Sequence, residues 1–265
     1  MRRSPLRPRI VAAWPPTALP HAATLAEMGT ELLLCELHAH TTWSDGVLSI
    51  AELVDLYGTT GFDVLCVTDH TARLDDPLRR SVDSWAWPGY LRELKLEAAR
   101  ALAEYGLLVL PGLELTDNRD VPDDSAHALA LGLDQFVSVE RGIVSAIFEA
   151  RTHGAAIVAA HPYTSGDWTL RRPTSRLWRE RDRFQNIIDR WEIANGRELF
   201  AWIADARLPI VATGDFHEPR DLASWKTFVP CRKSERALVA HLRSRAAVYV
   251  MPFAPDLAAP ARRAA

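Results

Sequence analysis

The fold of this chain is indicated by residues 32–46, Leu-Leu-Leu-Cys-Glu-Leu-His-Ala-His-Thr-Thr-Trp-Ser-Asp-Gly. The apolar run that leads into His38 and His40 is typical of a buried strand with polar residues at its carboxyl end. In an extended strand, residues two apart point to the same face and their Cα atoms lie about 6.6 Å apart. Two imidazoles at that spacing can bind one metal ion at about 2.0–2.1 Å. An isolated His-x-His is more often part of an ordinary half-buried strand. Whether this pair binds metal therefore depends on what the rest of the chain contains.

Four further apolar runs end in a side chain that can bind metal. The runs 64–68, 107–113, 155–160 and 209–214 are followed by Asp69-His70, Glu114, His161 and Asp215-Phe216-His217, respectively. His127 opens another apolar segment, so it also lies at a strand edge. In α/β barrels the catalytic groups come from the carboxyl ends of the strands. Several strands that each deliver His, Asp or Glu to one end predict a site for more than one metal ion.

Strand and helix patterns alternate along the chain, which predicts a parallel sheet with helices outside it. Ser49 and Glu52 match a capping box at the start of a helix that ends near Gly58. Further helices are predicted at 89–105, 143–153 and 196–206 and from 234 onward, and further strands at 187–193, 225–230 and 247–250. Glu192 and Asn195 lie where the strand at 187–193 would end and are candidates for lining a cavity, although helix capping explains Asn195 nearly as well.

Taken together, the ligand-bearing segments resemble the PHP family, the polymerase and histidinol phosphatase superfamily of metal-dependent phosphoesterases. The matching segments, in the order of the family, are His38-Ala39-His40, Ser44-Asp45-Gly46, Thr68-Asp69-His70, Gly112-Leu113-Glu114, His127, Ala160-His161-Pro162 and Gly214-Asp215-Phe216-His217. The resemblance implies an α/β fold of the distorted, TIM-like (β/α)7 barrel type. It places the hydrolase domain at 31–250, between a flexible arm at 1–30 and a tail at 251–265.

The resemblance also implies how nine ligands divide among two or three divalent ions. One ion would be held by His38, His40, Glu114 and Asp215, and Glu114 would bridge to a second ion held by His127 and His161. Asp45, His70 and His217 would hold a third, although the Ser-Asp-Gly setting of Asp45 equally suits a turn. Imidazole and carboxylate ligands accept zinc, manganese and iron alike.

Such a site favours an anionic substrate. Three carboxylates offset half the charge of three divalent ions, which leaves about +3 in a partly dry cavity. Bound ions would supply a hydroxide and polarise the phosphoryl oxygens. Among the protein groups, Glu114 would act through its bridging role. Asp69 would orient an imidazole or shuttle a proton, and a turn hydrogen bond at the strand end explains Asp69 about as well.

Two loops at the ligand end are rich in Trp and Arg, and we expect substrate specificity to lie there. The predicted contacts are Arg73 and Trp87 in the first loop, Arg171 and Arg172 in the second, and Lys226 near the last ligand strand. Guanidinium groups pair with phosphate and indole rings stack on flat groups, so a nucleotide would fit. The alternatives are that these Trp hold the loops in place, that the Arg are solvated or contact another subunit, and that Lys226 is solvated.

Composition sets limits on the remaining possibilities. A chain of 265 residues suits one domain of barrel size, and the formal net charge of −3 argues against an obligate nucleic-acid or membrane partner. The three cysteines indicate buried free thiols in a reducing cytoplasm. The predicted partner is a small phosphorylated molecule, and the oligomeric state stays open.

These patterns predict a metal-dependent phosphoesterase that hydrolyses a small phosphomonoester or phosphodiester. Two alternatives stay open at this stage. One is a hydrolase of the same fold that acts on a non-phosphate ester or an amide. The other is a non-catalytic module stabilised by metal, which the complete ligand set disfavours.

Overall fold

The computed structural model describes residues 30–76, 78, 80–164 and 174–254. Its strands form one sheet with helices packed against it, and the apolar runs of the sequence become the strands. The strands are β1 Glu31–Glu36, β2 Val64–Val67, β3 His70–Ala72, β4 Leu108–Asp117, β5 Ala126–Leu131, β6 Ala156–Ala159, β7 Arg190–Asn195, β8 Glu198–Leu199, β9 Ile210–Thr213, β10 Trp225–Cys231 and β11 Tyr249–Pro252.

The helices largely follow the predicted pattern. They are α1 Ile50–Thr59, α2 Trp87–Tyr105, α3 Ile143–Thr152, α4 Arg176–Arg179, α5 Arg181–Phe184, α6 Ala201–Asp205 and α7 Glu235–Arg243, with short 3-10 helices at Pro122–Asp124 and Pro219–Leu222. Ser49 and Glu52 form the predicted capping box of α1, and α2 ends at Gly106 in a left-handed conformation.

The helix predicted over 196–206 is wrong in its first half. Gly196, with a φ of 58°, turns the chain from β7 back into the short antiparallel strand β8. Only α6 is helical, and Asn195 is the last residue of β7 rather than a helix cap. A positive φ at glycine carries no steric cost, which is why a hairpin forms here.

The sheet is mixed and curls toward a barrel. β1, β2 and β4 are parallel neighbours, as are β6, β7 and β9, whereas β5 is antiparallel to both β4 and β6. A parallel bridge between Ala39 and Phe216 joins the extension of β1 to that of β9. The α/β class is confirmed, but strict (β/α)7 alternation is not, because only a short 3-10 helix separates β4 from β5 and because β10 and β11 add antiparallel strands.

The reversed direction of β5 explains the position of His127. In the register of the pair, His127 at the start of β5 lies opposite Thr116 near the end of β4. The first residues of an antiparallel strand meet the carboxyl ends of its parallel neighbours. His127 therefore reaches the same end of the sheet as the other predicted ligands.

Both faces of the sheet are buried. Leu34 packs with Ile50 and Leu94 between the sheet and the helices, while Leu33 and Cys35 pack on the opposite face with Leu238 of α7. Because side chains alternate along a strand, a strand covered on both sides is apolar throughout. The three cysteines are free and buried, as predicted.

The packed unit continues beyond the predicted boundary at residue 250. β11 ends at Pro252, and the Phe253 ring lies 4.9 Å from that of Phe62. The predicted arm at 1–30 (apart from Thr30) and the tail from 255 onward lie outside the described residues. Among the helices that the structure describes, none has both the length and the apolar character required to cross a membrane.

Candidate metal centre

Two pairs of ligand residues are held side by side at the carboxyl end of the sheet. His38 and His40 follow β1, and Asp215 and His217 follow β9. The amide of His40 donates to the carbonyl of Phe216 at 2.8 Å, and the amide of Phe216 donates to the carbonyl of His38 at 3.1 Å. These two hydrogen bonds extend the sheet by one step and place both period-two pairs over the same volume.

Four donor atoms surround a point between these strands. His38 Nε2 lies 3.2 Å from Glu114 Oε2 and 3.3 Å from Asp215 Oδ1, and the corresponding distances from His40 Nε2 are 3.3 and 3.4 Å. Ligands bound tetrahedrally at 2.0–2.1 Å are separated by about 3.3 Å. Three of the four atoms (His38 Nε2, His40 Nε2 and Glu114 Oε2) are buried without a hydrogen-bond partner. The donor set therefore fits a divalent metal ion.

The remaining predicted ligands adjoin this point on two sides. Glu114 Oε1 lies 2.9 Å from His127 Nδ1 and 3.0 Å from His161 Nε2. Asp45 Oδ1 lies 3.6 Å from His70 Nε2 and 3.3 Å from His217 Nε2. Glu114 Oε2 also lies 2.9 Å from His70 Nδ1, so Glu114 contacts both sides and all nine predicted ligands belong to one connected cluster.

The histidine tautomers are set by acceptors behind the cluster. His38 Nδ1 lies 3.0 Å from the Glu192 carboxylate, which only accepts hydrogen bonds. His40 Nδ1 lies 3.3 Å from Ser44 Oγ, whose own proton goes to Asp69 at 2.6 Å. In both rings Nδ1 therefore carries the proton and Nε2 offers its lone pair to the cavity.

The same arrangement holds for His70, His161 and His217, whereas in His127 the two nitrogens are exchanged: Nε2 lies 3.1 Å from Asn118 Oδ1 and Nδ1 faces Glu114 at 2.9 Å. The acceptors are Thr174 for His161, Thr116 for His70, the carbonyl of Asp215 for His217, and the Asn118 side chain for His127. Both threonine hydroxyls donate to backbone carbonyls, so they are left to accept from the rings. Each of the six imidazoles, in its neutral form, therefore turns one nitrogen lone pair toward the cavity, as metal-binding histidines do.

Asp69 shapes the loop that contains Asp45. Its carboxylate accepts hydrogen bonds from the amide and hydroxyl of both Thr41 and Ser44, at 2.6–3.0 Å, and the side chain is fully buried. These contacts match the alternative of turn hydrogen bonds at the strand end, and the role as a proton shuttle stays a prediction. Its influence on an imidazole is indirect and passes through Ser44 to His40.

Two ligands have a strained backbone. His161 and Asp215 have φ values of 27° and 49°, in the left-handed region that residues with a Cβ rarely occupy. Such conformations cost on the order of 1–3 kcal/mol and persist where surrounding contacts hold them. Strain of this kind is common in active sites and ligand-binding segments.

The electrostatics of the cluster are dominated by imidazole–carboxylate pairs. Burial by itself lowers the pKa of an imidazole, but Glu114 and Asp45 outweigh it and raise the pKa of His70 to about 10. Asp45 and Asp215 raise that of His217 to about 9. Burial raises the pKa of Glu114 and Asp215, yet the surrounding imidazoles hold both well below their usual range. A metal ion would displace these protons and take over the compensation of the carboxylates.

Behind the ligands lies a buried ion pair between Glu36 and Lys226, both side chains fully shielded from solvent. Glu36 also accepts hydrogen bonds from the amides of His38 and Gly214, at 3.2 and 2.8 Å, and from the Tyr57 hydroxyl at 3.0 Å. The prediction that Lys226 contacts substrate is therefore wrong, and so is the solvated alternative. Its ammonium group neutralises Glu36 inside the fold.

The substrate contacts predicted in the Trp- and Arg-rich loops have different outcomes from one residue to the next. Trp87 is buried at the start of α2, where its ring packs against Tyr90 and Phe136, so the prediction that it stacks on substrate is wrong. Arg73 donates to Asp75 at 2.8 Å, within its own loop. Arg171 and Arg172 lie outside the described residues.

Two cavities meet at the cluster. The smaller, of about 210 Å³, is lined by six of the nine ligand candidates and by Leu78, Thr116, Asn118 and Tyr163; the six are His70, Glu114, His127, His161, Asp215 and His217. The larger, of about 600 Å³, is a polar groove between residues 195–198 and 214–224. Asp215 and His217 line both cavities, so the groove is continuous with the cluster.

Sequence reasoning placed the ligands but missed most of the groups that hold them. Glu36 interrupts an apolar strand with a charge, which is the signal that could have marked it, and Glu192 was named only as a candidate for lining the cavity. Ser44, Asn118 and Thr174 carry no such signal, because hydroxyl and amide side chains are common in loops.

Comparison with solved structures identifies the fold. A two-domain protein from Bacteroides vulgatus, containing a predicted PHP-like metal-dependent phosphoesterase, matches over 96% of this chain and 70% of its own, at 20% identity and a TM-score of 0.63. The fold is shared. The resemblance to the PHP family is confirmed to that extent. No protein-family model and no curated protein matches the chain.

Two weaker structural matches cover about 70% of the chain. One is a candidate metal-dependent phosphoesterase from Bifidobacterium adolescentis, at 17% identity, 87% of its own length and a TM-score of 0.44. The other is an amidohydrolase from Chromobacterium violaceum with bound sulfate and no metal, at 19% identity, 88% of its own length and a TM-score of 0.47.

Proposed function

We propose that this protein is a metal-dependent phosphoesterase that hydrolyses a small phosphomonoester or phosphodiester at a site for up to three divalent ions. The observation that carries the proposal is the convergence of six imidazole lone pairs and three carboxylates on one cavity. Bound there, divalent ions would activate a water molecule and polarise the phosphoryl oxygens. The protein side chains would hold the ions at fixed positions and shield them from bulk solvent.

The charge of the site suits phosphate once the ions are bound. Three ions carry six positive charges, and Asp45, Glu114 and Asp215 offset three of them. Glu192 and Asp69, both fully buried behind the ligands, offset two more, which leaves about +1. This remaining positive charge is smaller than the value that follows from the ligand carboxylates alone. It still favours an anionic group over a neutral or cationic one.

The polar groove beside Asp215 and His217 would receive the organic part of the substrate. Arg197 crosses its rim, with Nε donating to the carbonyl of Ala223 at 3.4 Å, and Asp221 and Ser224 also line it. Arg197 is exposed and lines the groove, so its guanidinium is accessible to a ligand bound there. A substrate that carries hydroxyl groups or a second anionic group would find donors and acceptors there.

A substrate panel assayed with manganese, zinc or iron tests the proposal. Phosphomonoesters, phosphodiesters, carboxylic esters and amides are compared, and we expect turnover of at least one phosphoester. Turnover confined to carboxylic esters or amides would assign the site to a different hydrolase. Bound metal with no turnover at all would indicate a structural metal module.

A matched pair of substitutions links turnover to the cluster. Glu114→Gln removes the charge that contacts both sides of the cluster, and we expect it to abolish turnover while the fold survives. Glu149→Gln, an exposed change on α3, serves as the control. Unchanged activity of the Glu114 variant would contradict the site assignment.

A further inference from the structure

Glu192 holds two ligands that belong to different sides of the cluster. It lies on β7, fully buried, and its carboxylate accepts four hydrogen bonds. Oε1 accepts from His38 Nδ1 at 3.0 Å and from the Thr213 hydroxyl at 2.6 Å. Oε2 accepts from the backbone amide of His161 at 2.6 Å and from Asn195 Nδ2 at 2.9 Å.

A bulge in β7 makes this arrangement possible. The register against β9 shifts between Glu192 and Ala194, so that one extra residue lies on β7. In a regular strand, residues three apart point to opposite faces. The bulge turns Asn195 to the same side as Glu192, and bulges are frequent where a strand must aim a side chain at a site.

We propose that Glu192 is a positioning residue that prepares the site for metal, by fixing the tautomer of His38 and by holding His161 in its left-handed conformation. The inference rests on the proposed function only in requiring that the cluster bind metal. With Nδ1 bonded to Glu192, the ring of His38 presents Nε2 to the same point as Glu114 and Asp215. The amide bond to His161 opposes the relaxation of a residue whose φ is 27°.

The isosteric variant Glu192→Gln separates these roles from simple packing. The amide of His161 can only donate, so the glutamine oxygen must take the Oε2 position and its NH2 group must face His38 and Thr213. The hydroxyl of Thr213 can rotate to accept. His38 can accept at Nδ1 only by moving its proton to Nε2, and a protonated Nε2 is unable to bind a metal ion.

Zinc affinity, measured by chelator competition on the folded protein without any phosphoester, tests the proposal. We expect Glu192→Gln to weaken zinc binding by about 10- to 100-fold, the usual effect of losing a carboxylate that orients a metal-binding histidine. Asp189→Asn is the matched control. That carboxylate is also buried and immediately precedes β7, and it accepts from the Ile157 amide and from Arg151, both at 2.9 Å, away from the cluster. Equal zinc affinities in the two variants would overturn the proposal.

A second measurement uses the wild-type protein and does not depend on the variant folding. Nitrogen NMR of the zinc-loaded protein, with His38 assigned by the signal missing from His38→Gln, reports which ring nitrogen carries the proton. We expect the proton on Nδ1, and a proton on Nε2 would refute the assignment. Neither measurement involves catalysis. An inactive protein that binds zinc as expected would therefore contradict the phosphoesterase proposal, while the positioning role of Glu192 would still hold.

Discussion

The buried pair of Glu36 and Lys226 allows a sharp test of what holds the ligand strands in place. Lys226→Met leaves the Glu36 carboxylate fully buried without its counter-charge. Removing one partner of a buried pair costs about 3–5 kcal/mol. Glu36 keeps the hydrogen bonds from Tyr57, His38 and Gly214, so we expect a loss near the lower limit. For a chain of this size, 3 kcal/mol lowers the melting temperature by about 6–12 °C.

The double variant Glu36→Gln/Lys226→Met removes the charges and keeps the shape. The glutamine oxygen still accepts from the backbone amides, and its NH2 group donates to the Tyr57 hydroxyl, which can rotate to accept. Replacement of a whole buried pair by neutral groups is often close to neutral in stability. We therefore expect the double variant to recover most of the loss, to within about 1 kcal/mol of the wild type by the same principle.

Thermal and urea unfolding of the metal-free protein provide the assay. The slope of the urea transition should be the same in all variants, so that shifts of the midpoint report stability. The pair of Asp63 and Lys233, partly exposed at the other end of β1, is the control, and Lys233→Met should cost less than about 1 kcal/mol. A Lys226→Met protein as stable as the wild type, or a double variant as unstable as the single one, would refute the reasoning.

Three further outcomes follow from the site. Arg197→Ala should raise KM by about 10- to 100-fold with a smaller change in kcat, as expected for a lost charged hydrogen bond, and unchanged kinetics would remove Arg197 from substrate binding. Trp87→Ala should instead destabilise the protein by about 3–5 kcal/mol through the cavity it leaves, and a stable variant with a raised KM would restore the stacking role. In the metal-free protein, the raised pKa values of His70 and His217, about 10 and about 9, stabilise the fold fully below pH 6.5, and this contribution is lost as pH rises through these values. The increase in melting temperature on adding zinc should therefore grow from pH 6.5 to 9, and an increase that shrinks over that range would contradict the imidazole assignment.

Much of the site could be predicted from the order of residues. The chemistry of a ligand is a property of its side chain, and the period of two in 38/40 and 215/217 shows that each pair shares one face of a strand. An apolar run before each ligand indicates a buried strand, and parallel strands bring their carboxyl ends to one edge. These local rules were sufficient to name eight of the nine residues that the structure brings together, and Asp45 was added by the resemblance to the PHP family.

Such local rules could not predict the direction of β5 or the contacts of Trp87 and Lys226. The sequence pattern of a strand does not show whether the strand pairs in parallel or antiparallel fashion. The antiparallel pairing that brings His127 to the site therefore depends on the strands next to β5. An arginine-, lysine- or tryptophan-rich loop is compatible with solvent, substrate or core. Only packing shows that Trp87 joins the core and that Lys226 is drawn inside by Glu36.

The sequence by itself determined the ligand types, the strands that carry them and the α/β class, because each of these follows from side-chain chemistry and from local periodicity. The tertiary structure alone decided which nitrogen of each imidazole faces the cavity, since that depends on acceptors such as Glu192, Thr174 and Asn118 that come from distant parts of the chain. It also decided where the groove beside Asp215 and His217 lies, because a cavity is the space left between elements and no single segment encodes it.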